Sequence, residues 1–274
     1  MNGVLTMKLK LWATMLAVGL LAGCQNESTD VTNESTSLNS EEVSQESEES
    51  TALTPEEEKE QEMIAALPDV STADWNLVLV NNWHPIDETV EIPLETVADQ
   101  KEVDARIVEP YTNWMEAAKK AGYTIFLASS YRSIERQQAN YDASIQGYIN
   151  EGYSKEQAIE KTEDYIAVPG GSEHHTGLAL DMVDNEWLST GKGLVPEYDT
   201  QESQQWLVST AADYGFILRF PKNKETETGI QYESWHFRYV GVENAQFIQQ
   251  YGLSLEEYIE LLEKAGKTGE QRIE

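Results

Sequence analysis

A formal charge of −30 over 274 residues, with 49 Asp and Glu against 19 Lys and Arg, gives a surface that repels phosphate backbones and excludes nucleic acid as a partner. The hydrophobic content of 40%, with seven Trp and thirteen Tyr, is enough to build a substantial core, so most of the chain is globular. Cys24 is the only cysteine, which rules out an intramolecular disulfide and leaves no thiol nucleophile for a folded domain further along.

In chain order, Lys8 and Lys10 precede an apolar run from Leu11 to Leu21, too short to span a bilayer comfortably but suited to the core of an export signal. The tetrapeptide Leu21-Ala-Gly-Cys24 that follows resembles a bacterial lipobox. That resemblance implies a signal peptide over 1–23, lipidation of Cys24, and anchoring to the extracytoplasmic face of a bacterial membrane, with Met7 as an alternative start. Residues 24–68 form an acidic linker. From Gln25 to about Thr54 it is almost entirely Ser, Thr, Asn, Gln and Glu, a composition that cannot repay the entropy of folding and predicts a disordered tether. As a random coil the 44 residues from Gln25 to Pro68 would separate their ends by roughly 35 to 40 Å. The folded domain is expected over 69–274.

Thr54 caps an acidic helix that begins at Pro55. Leu77 to Asn81 reads as a strand ended by a turn through His84-Pro85. Tyr111, Trp114, Met115 and Ala118 fall at helical spacing, between Pro110 in the first turn and a stop at Ala121-Gly122. Thr124 to Ser129 is the next strand and delivers Tyr131-Arg132 at its end. Helices follow over Ile134 to about Glu151 and Ser154 to Thr162, the second with Ser154 and Gln157 as a capping box. Beyond a turn at Pro169-Gly-Gly171, the run Gly177 to Val183 alternates like a strand, with Gly177, Ala179 and Asp181 on one face and His174 in the turn that feeds it. A helix over Glu202 to Tyr214, closed by Gly215, leads to a strand at Phe216 to Phe220 and a polar excursion through Asn223 to Gly229. Trp235 to Val240 is the last strand, and Asn244 to Tyr251 and Ser254 to Lys264 read as surface helices. Few strands scattered among helices, with no regular alternation, argue for an α+β fold.

The chemistry concentrates in Ser172-Glu-His-His-Thr-Gly-Leu-Ala-Leu-Asp181 and Glu233-Ser-Trp-His236. His174, Asp181 and His236 offer two nitrogens and one anionic oxygen, a donor set suited to a zinc-like ion, and leave Glu233 for proton transfer. Residues three apart on a strand face opposite ways, so Glu233 and His236 share a site only if Glu233 lies on the turn before the strand. His175 points away from His174 along an extended chain, and His84 before Pro85 reads as a turn residue.

With these residues in place, the order Ser172-x-His174-x-x-Gly177-x-Ala179-x-Asp181, then Glu233-x-Trp235-His236, resembles the zinc D-alanyl-D-alanine carboxypeptidases of the VanY type, which share a fold with lysostaphin-like peptidases and the hedgehog signalling domain. The resemblance covers about residues 77 to 241, including Ser130-Tyr-Arg-Ser133, Tyr214-Gly-Phe-Ile-Leu-Arg-Phe-Pro221 and Phe237-Arg-Tyr-Val-Gly241. It implies a small antiparallel sheet carrying one zinc ion per domain, with helices packed on it. It also implies Glu233 as general base, Arg132 against the substrate, and Ser172, Ser130, Gln137 and Trp235 as further substrate contacts. The implied substrate is the D-Ala-D-Ala end of a peptidoglycan stem peptide, and no oligomeric state follows. The same machinery would serve an endopeptidase or a D,D-dipeptidase. A zinc-stabilised wall-binding module is the non-enzymatic alternative, and it needs no base at position 233.

Overall fold

The computed structural model describes residues 53–86 and 91–269. The export signal, Cys24 and the tether up to residue 52 lie outside the described residues.

Helix α1 (Pro55–Ala66) opens with the predicted cap, as the Thr54 hydroxyl accepts from the Glu57 amide and the Glu57 carboxylate reaches back to Thr54 N. The segment expected to be a strand at Leu77 to Asn81 is instead a short 3-10 turn at Trp75–Leu77 followed by extended chain that joins no sheet. Its carbonyls find another donor: the buried Arg238 guanidinium bonds Asn76 O at 3.1 Å and Val78 O at 2.8 Å, so no neighbouring strand is required.

A two-stranded antiparallel ribbon, β1 (Leu94–Thr96) with β2 (Glu102–Asp104), follows and was not expected from the residue pattern. Helix α2 (Val108–Lys120) carries Pro110 in its first turn and sinks Tyr111, Trp114 and Ala118 into the core. Strand β3 (Ile125–Ser129), helix α3 (Ile134–Asn150) and helix α4 (Lys155–Glu163) match expectation, including the capping box at Ser154. Strand β4 (Ala179–Asp184) starts two residues later than its alternation suggests. Gly177 belongs to the preceding turn, with φ of 68°, and a Cβ there would lie 2.7 Å from Asp104 N.

Helices α5 (Asn185–Ser189) and α6 (Glu202–Thr210) lead to strand β5 (Phe216–Leu218), a single-turn helix α7 (Glu225–Thr228) and strand β6 (His236–Tyr239). The main sheet has the order β3-β4-β6-β5, antiparallel throughout, which bears out the α+β reading with a small antiparallel sheet. One sheet face sends Leu180, Met182 and Phe237 into a core shared with Trp114, Leu127 and Phe216. The other face carries the polar side chains of the site.

The last two helices, α8 (Val242–Tyr251) and α9 (Leu255–Lys264), are not the surface elements the sequence suggested. They form a second core in which Leu255, Tyr258, Ile259, Leu261 and Leu262 of α9 pack with Leu77, Ile217, Val240 and Phe247. Burying one such apolar side chain contributes roughly 1.5 to 3 kcal/mol, so α9 is an integral layer.

Candidate active site

Strand register explains why the three proposed ligands meet. Asp181 lies directly opposite His236 in the β4–β6 ladder, and His174 arrives from the 3-10 turn Glu173–Thr176 just before β4. Their ligating atoms lie within 4.8 Å of one another, and all three residues are buried. His174 gives its Nδ1–H to the Ser130 carbonyl at 2.7 Å. Because a carbonyl only accepts, this fixes the tautomer and leaves Nε2 free, 3.2 Å from Asp181 Oδ2. His236 turns the other way round: Nδ1 faces Asp181 Oδ1 at 3.1 Å, and Nε2 points at Glu173.

The electrostatics call for a cation. Asp181 Oδ1 is fully buried and makes no hydrogen bond. Burial works to raise the Asp181 carboxyl, but His174 and His236 outweigh it and hold it well below the ordinary carboxylate range. Burial likewise works to lower His236, yet Asp181, Glu173 and Glu233 together raise it. The pocket therefore favours positive charge at this point, whether a proton or a metal ion. Two imidazole nitrogens and one carboxylate oxygen around an orphaned acceptor fit zinc in type and number, with a fourth position left open.

Glu233 sits on the turn before β6, as the spacing required, held by its amide on Phe220 O at 3.1 Å. Its carboxylate lies 3.4 Å from His236 Nδ1, and burial raises it to about 7 against the opposing pull of His236. Arg132 reaches the site from the loop after β3, its Nη2 3.8 Å from Asp181 Oδ2. Its guanidinium is braced by Gln137 Oε1 at 2.7 Å and Ser129 Oγ at 2.9 Å.

These residues form the floor of an open cleft of about 850 Å³. Ser172, Gln137 and Trp235 line it with Arg132. Gln137 has a second bond, to Ala167 O at 2.6 Å, so its amide is committed to positioning Arg132 rather than free for a ligand. Ser130 does not line the cleft; its hydroxyl is buried without a partner, and its contribution is the carbonyl that orients His174. His175 is a satisfied buried imidazole, with Nδ1–H on Arg132 O at 2.7 Å and Nε2 accepting from Gly170 N at 3.2 Å. His84 is engaged with Asn81 and stands apart from the metal cluster.

The sequence reading passed over four residues beneath the site, namely Glu173, Arg219, Arg238 and Glu256. Arg219 and Arg238 are fully buried and pair with the Glu173 carboxylate, and Arg219 also pairs with Glu256 of α9. A signal existed. An arginine inside Phe216-Ile-Leu-Arg-Phe220 or Phe237-Arg-Tyr-Val240 is a charge in an apolar run, which demands a buried counter-charge.

Comparison with known proteins agrees with this geometry. A family profile described as VanY, D-alanyl-D-alanine carboxypeptidase, matches residues 100–242. A D-alanyl-D-alanine carboxypeptidase of Enterococcus faecalis (strain ATCC 700802 / V583) is 36% identical over 74% of this chain and 73% of its own length. Among solved structures, a mutant of the vancomycin resistance D,D-pentapeptidase VanY from a VanB-type cassette, in complex with Zn(II), aligns with a TM-score of 0.61 at 36% identity, covering 68% of this chain and 99% of that one. VanYB in complex with D-alanine-D-alanine aligns equally well, at 0.61 and 36%, over 68% of this chain and 98% of its own. With a family profile matched over more than half of its length and a relative 36% identical over 74% of it, the chain belongs to the VanY family of D-alanyl-D-alanine carboxypeptidases.

Proposed function

We propose that the protein is a zinc D,D-carboxypeptidase that removes the terminal D-Ala from peptidoglycan stem peptides or their precursors. The observation that carries this is the orphaned Asp181 oxygen between His174 and His236, with the buried Glu233 beside it on the floor of an open cleft. Held by His174 Nε2, Asp181 and His236 Nδ1, zinc supplies Lewis acidity toward the scissile carbonyl and lowers the pKa of a water toward ~7.

The chain's own groups do the rest. Glu233 accepts the proton of the attacking water and returns it to the amine of the departing D-alanine. Arg132, held flat by Gln137 and Ser129, presents its guanidinium to the substrate carboxylate or to the developing oxyanion; one well-placed donor of this kind is worth about 3 kcal/mol. The cleft continues from the metal site past Tyr165, Leu194 and Glu197, more space than a free dipeptide fills, which supports a longer peptide over D-Ala-D-Ala alone.

The test is to incubate the full-length protein, with and without zinc, with a pentapeptide ending in D-Ala-D-Ala and to identify the products. Zinc-dependent release of one D-Ala is expected. Release of the dipeptide or of an internal fragment would reassign the cut, and full hydrolysis by metal-free protein would end the metallopeptidase reading.

The charged, apolar and small-residue layout before Cys24 supports a lipid anchor on the extracytoplasmic face of the membrane. Among the described residues no helix is long and apolar enough to cross a membrane. Cys24→Ser is expected to abolish lipid labelling and release the protein into the soluble fraction; unchanged membrane association would point to another anchor.

A further inference from the structure

Glu173 stands between Ser172 and His174 in sequence and lies behind His236, on the side away from Asp181. It is 2% exposed. Both arginines beneath it claim the same oxygen: Arg219 Nε bonds Glu173 Oε1 at 2.6 Å, and Arg238 Nη1 bonds it at 2.7 Å. Oε2 is left with no hydrogen-bond partner, and the group it faces is His236 Nε2, 3.4 Å away and also without one. The arginines cannot turn toward Oε2, because each is tied elsewhere. Arg238 holds Asn76 O and Val78 O, and Arg219 holds both oxygens of Glu256 at 2.6 and 2.8 Å. Asn81 fixes Glu256 in turn at 3.0 Å.

Two orphaned buried atoms facing each other have one economical solution, an N–H on the ring nitrogen. A proton on Nε2 leaves the lone pair on Nδ1, which is the nitrogen facing Asp181. A small movement of the ring completes the bond, since 3.4 Å is long for one already formed. We propose that Glu173 is a positioning residue for the metal. Clamped by Arg219 and Arg238, it accepts Nε2–H of His236 and thereby presents Nδ1 to the ion, as the Ser130 carbonyl does in mirror fashion for His174. This rests on the zinc reading above. The competing explanation is that the cluster serves only to fasten α9 to the sheet.

The substitution that separates the two is Glu173→Gln, which keeps volume and shape. Both arginines are donors, so they draw the amide oxygen to the Oε1 side. The amide NH₂ then takes the place of Oε2 and donates to His236 Nε2, forcing the ring proton onto Nδ1. Zinc affinity of full-length protein, measured by competition with a chromogenic chelator, is expected to fall about tenfold to a hundredfold in the variant. Melting of the metal-free variant, recorded in parallel, shows whether it is folded. A folded Glu173→Gln protein with wild-type zinc affinity overturns the proposal and leaves the enzyme reading standing. A wild-type protein that binds no zinc overturns both.

A second measurement needs no variant. Long-range proton–nitrogen correlation spectra of the zinc-loaded wild type are expected to show His236 protonated at Nε2 and His174 at Nδ1. A His236 ring that carries its proton on Nδ1 overturns the proposal even where the Gln variant fails to fold.

Discussion

Glu233 and Glu173 both lie within reach of His236, and their partners drive them apart. Burial raises Glu233 to about 7. Burial acts on Glu173 in the same sense, but Arg219 and Arg238 outweigh it and hold that carboxyl well below the ordinary range. One is thus poised to exchange a proton and the other is fixed as an anion, the separation expected where two carboxylates have different tasks. Glu233→Ala is accordingly expected to leave the fold and zinc content intact while cutting the rate of D-Ala release by a factor of order 10² to 10⁴. Zinc stoichiometry and turnover on the same preparation check it, and wild-type turnover would show that the base is another residue. At this scale the sequence was legible where function concentrates. His174, Asp181, Glu233 and His236 stand in two short motifs. Glu173 is one acid among 49, and only the arginines buried opposite it reveal its role.

Helix α3 forms one wall of the cleft, with Gln137, Asn140 and Ala143 facing it, and α4 packs against α3. The pair is laced by Tyr141 Oη donating to Glu163 at 2.6 Å and by Ser144 against Thr162 at 2.9 Å. Burial, then the Glu163 bond and charge, pushes the Tyr141 hydroxyl up from 10.0 to about 12. A raised pKa means that the stabilisation is complete below the unfolded value, near 10, and drains away as pH climbs through about 12. Urea denaturation across that alkaline range should show this loss in wild type. Tyr141→Phe should lose about 1 kcal/mol at neutral pH and show a flatter alkaline dependence, so identical pH dependence in both proteins would remove Tyr141 as its source. Both helices were readable because their caps, Ser133 and Ser154, are local signals. The segment 77–81 was misread because its Val78 carbonyl is served by Arg238, 160 residues away, and local alternation carries no trace of such a partner.

Across the whole molecule, the family match ends at residue 242, yet the structure continues through α8 and α9 into a core of its own and into the ion-pair cluster under the metal site. Removing everything after Gly252 takes away five buried side chains of α9 together with Glu256. At roughly 1.5 to 3 kcal/mol for each apolar side chain, the loss rivals the whole stability of an ordinary domain, about 5 to 15 kcal/mol. The truncated protein is expected to lack a cooperative melting transition and to be inactive although all three ligands and Glu233 remain. A cooperative, active truncated protein would show α9 to be dispensable.

The Arg219–Glu256 pair also sets an order in time. A ribosome makes Glu173, then Arg219, then the last metal ligand at His236, and only afterwards residue 256. Until that glutamate emerges, two arginines share one acidic partner, and the nascent chain holds a surplus positive charge that is costly to bury. The ligands of a peptidase are therefore all synthesised before the ground beneath them is neutral, and the hydrolase does not mature until residue 256 has been made.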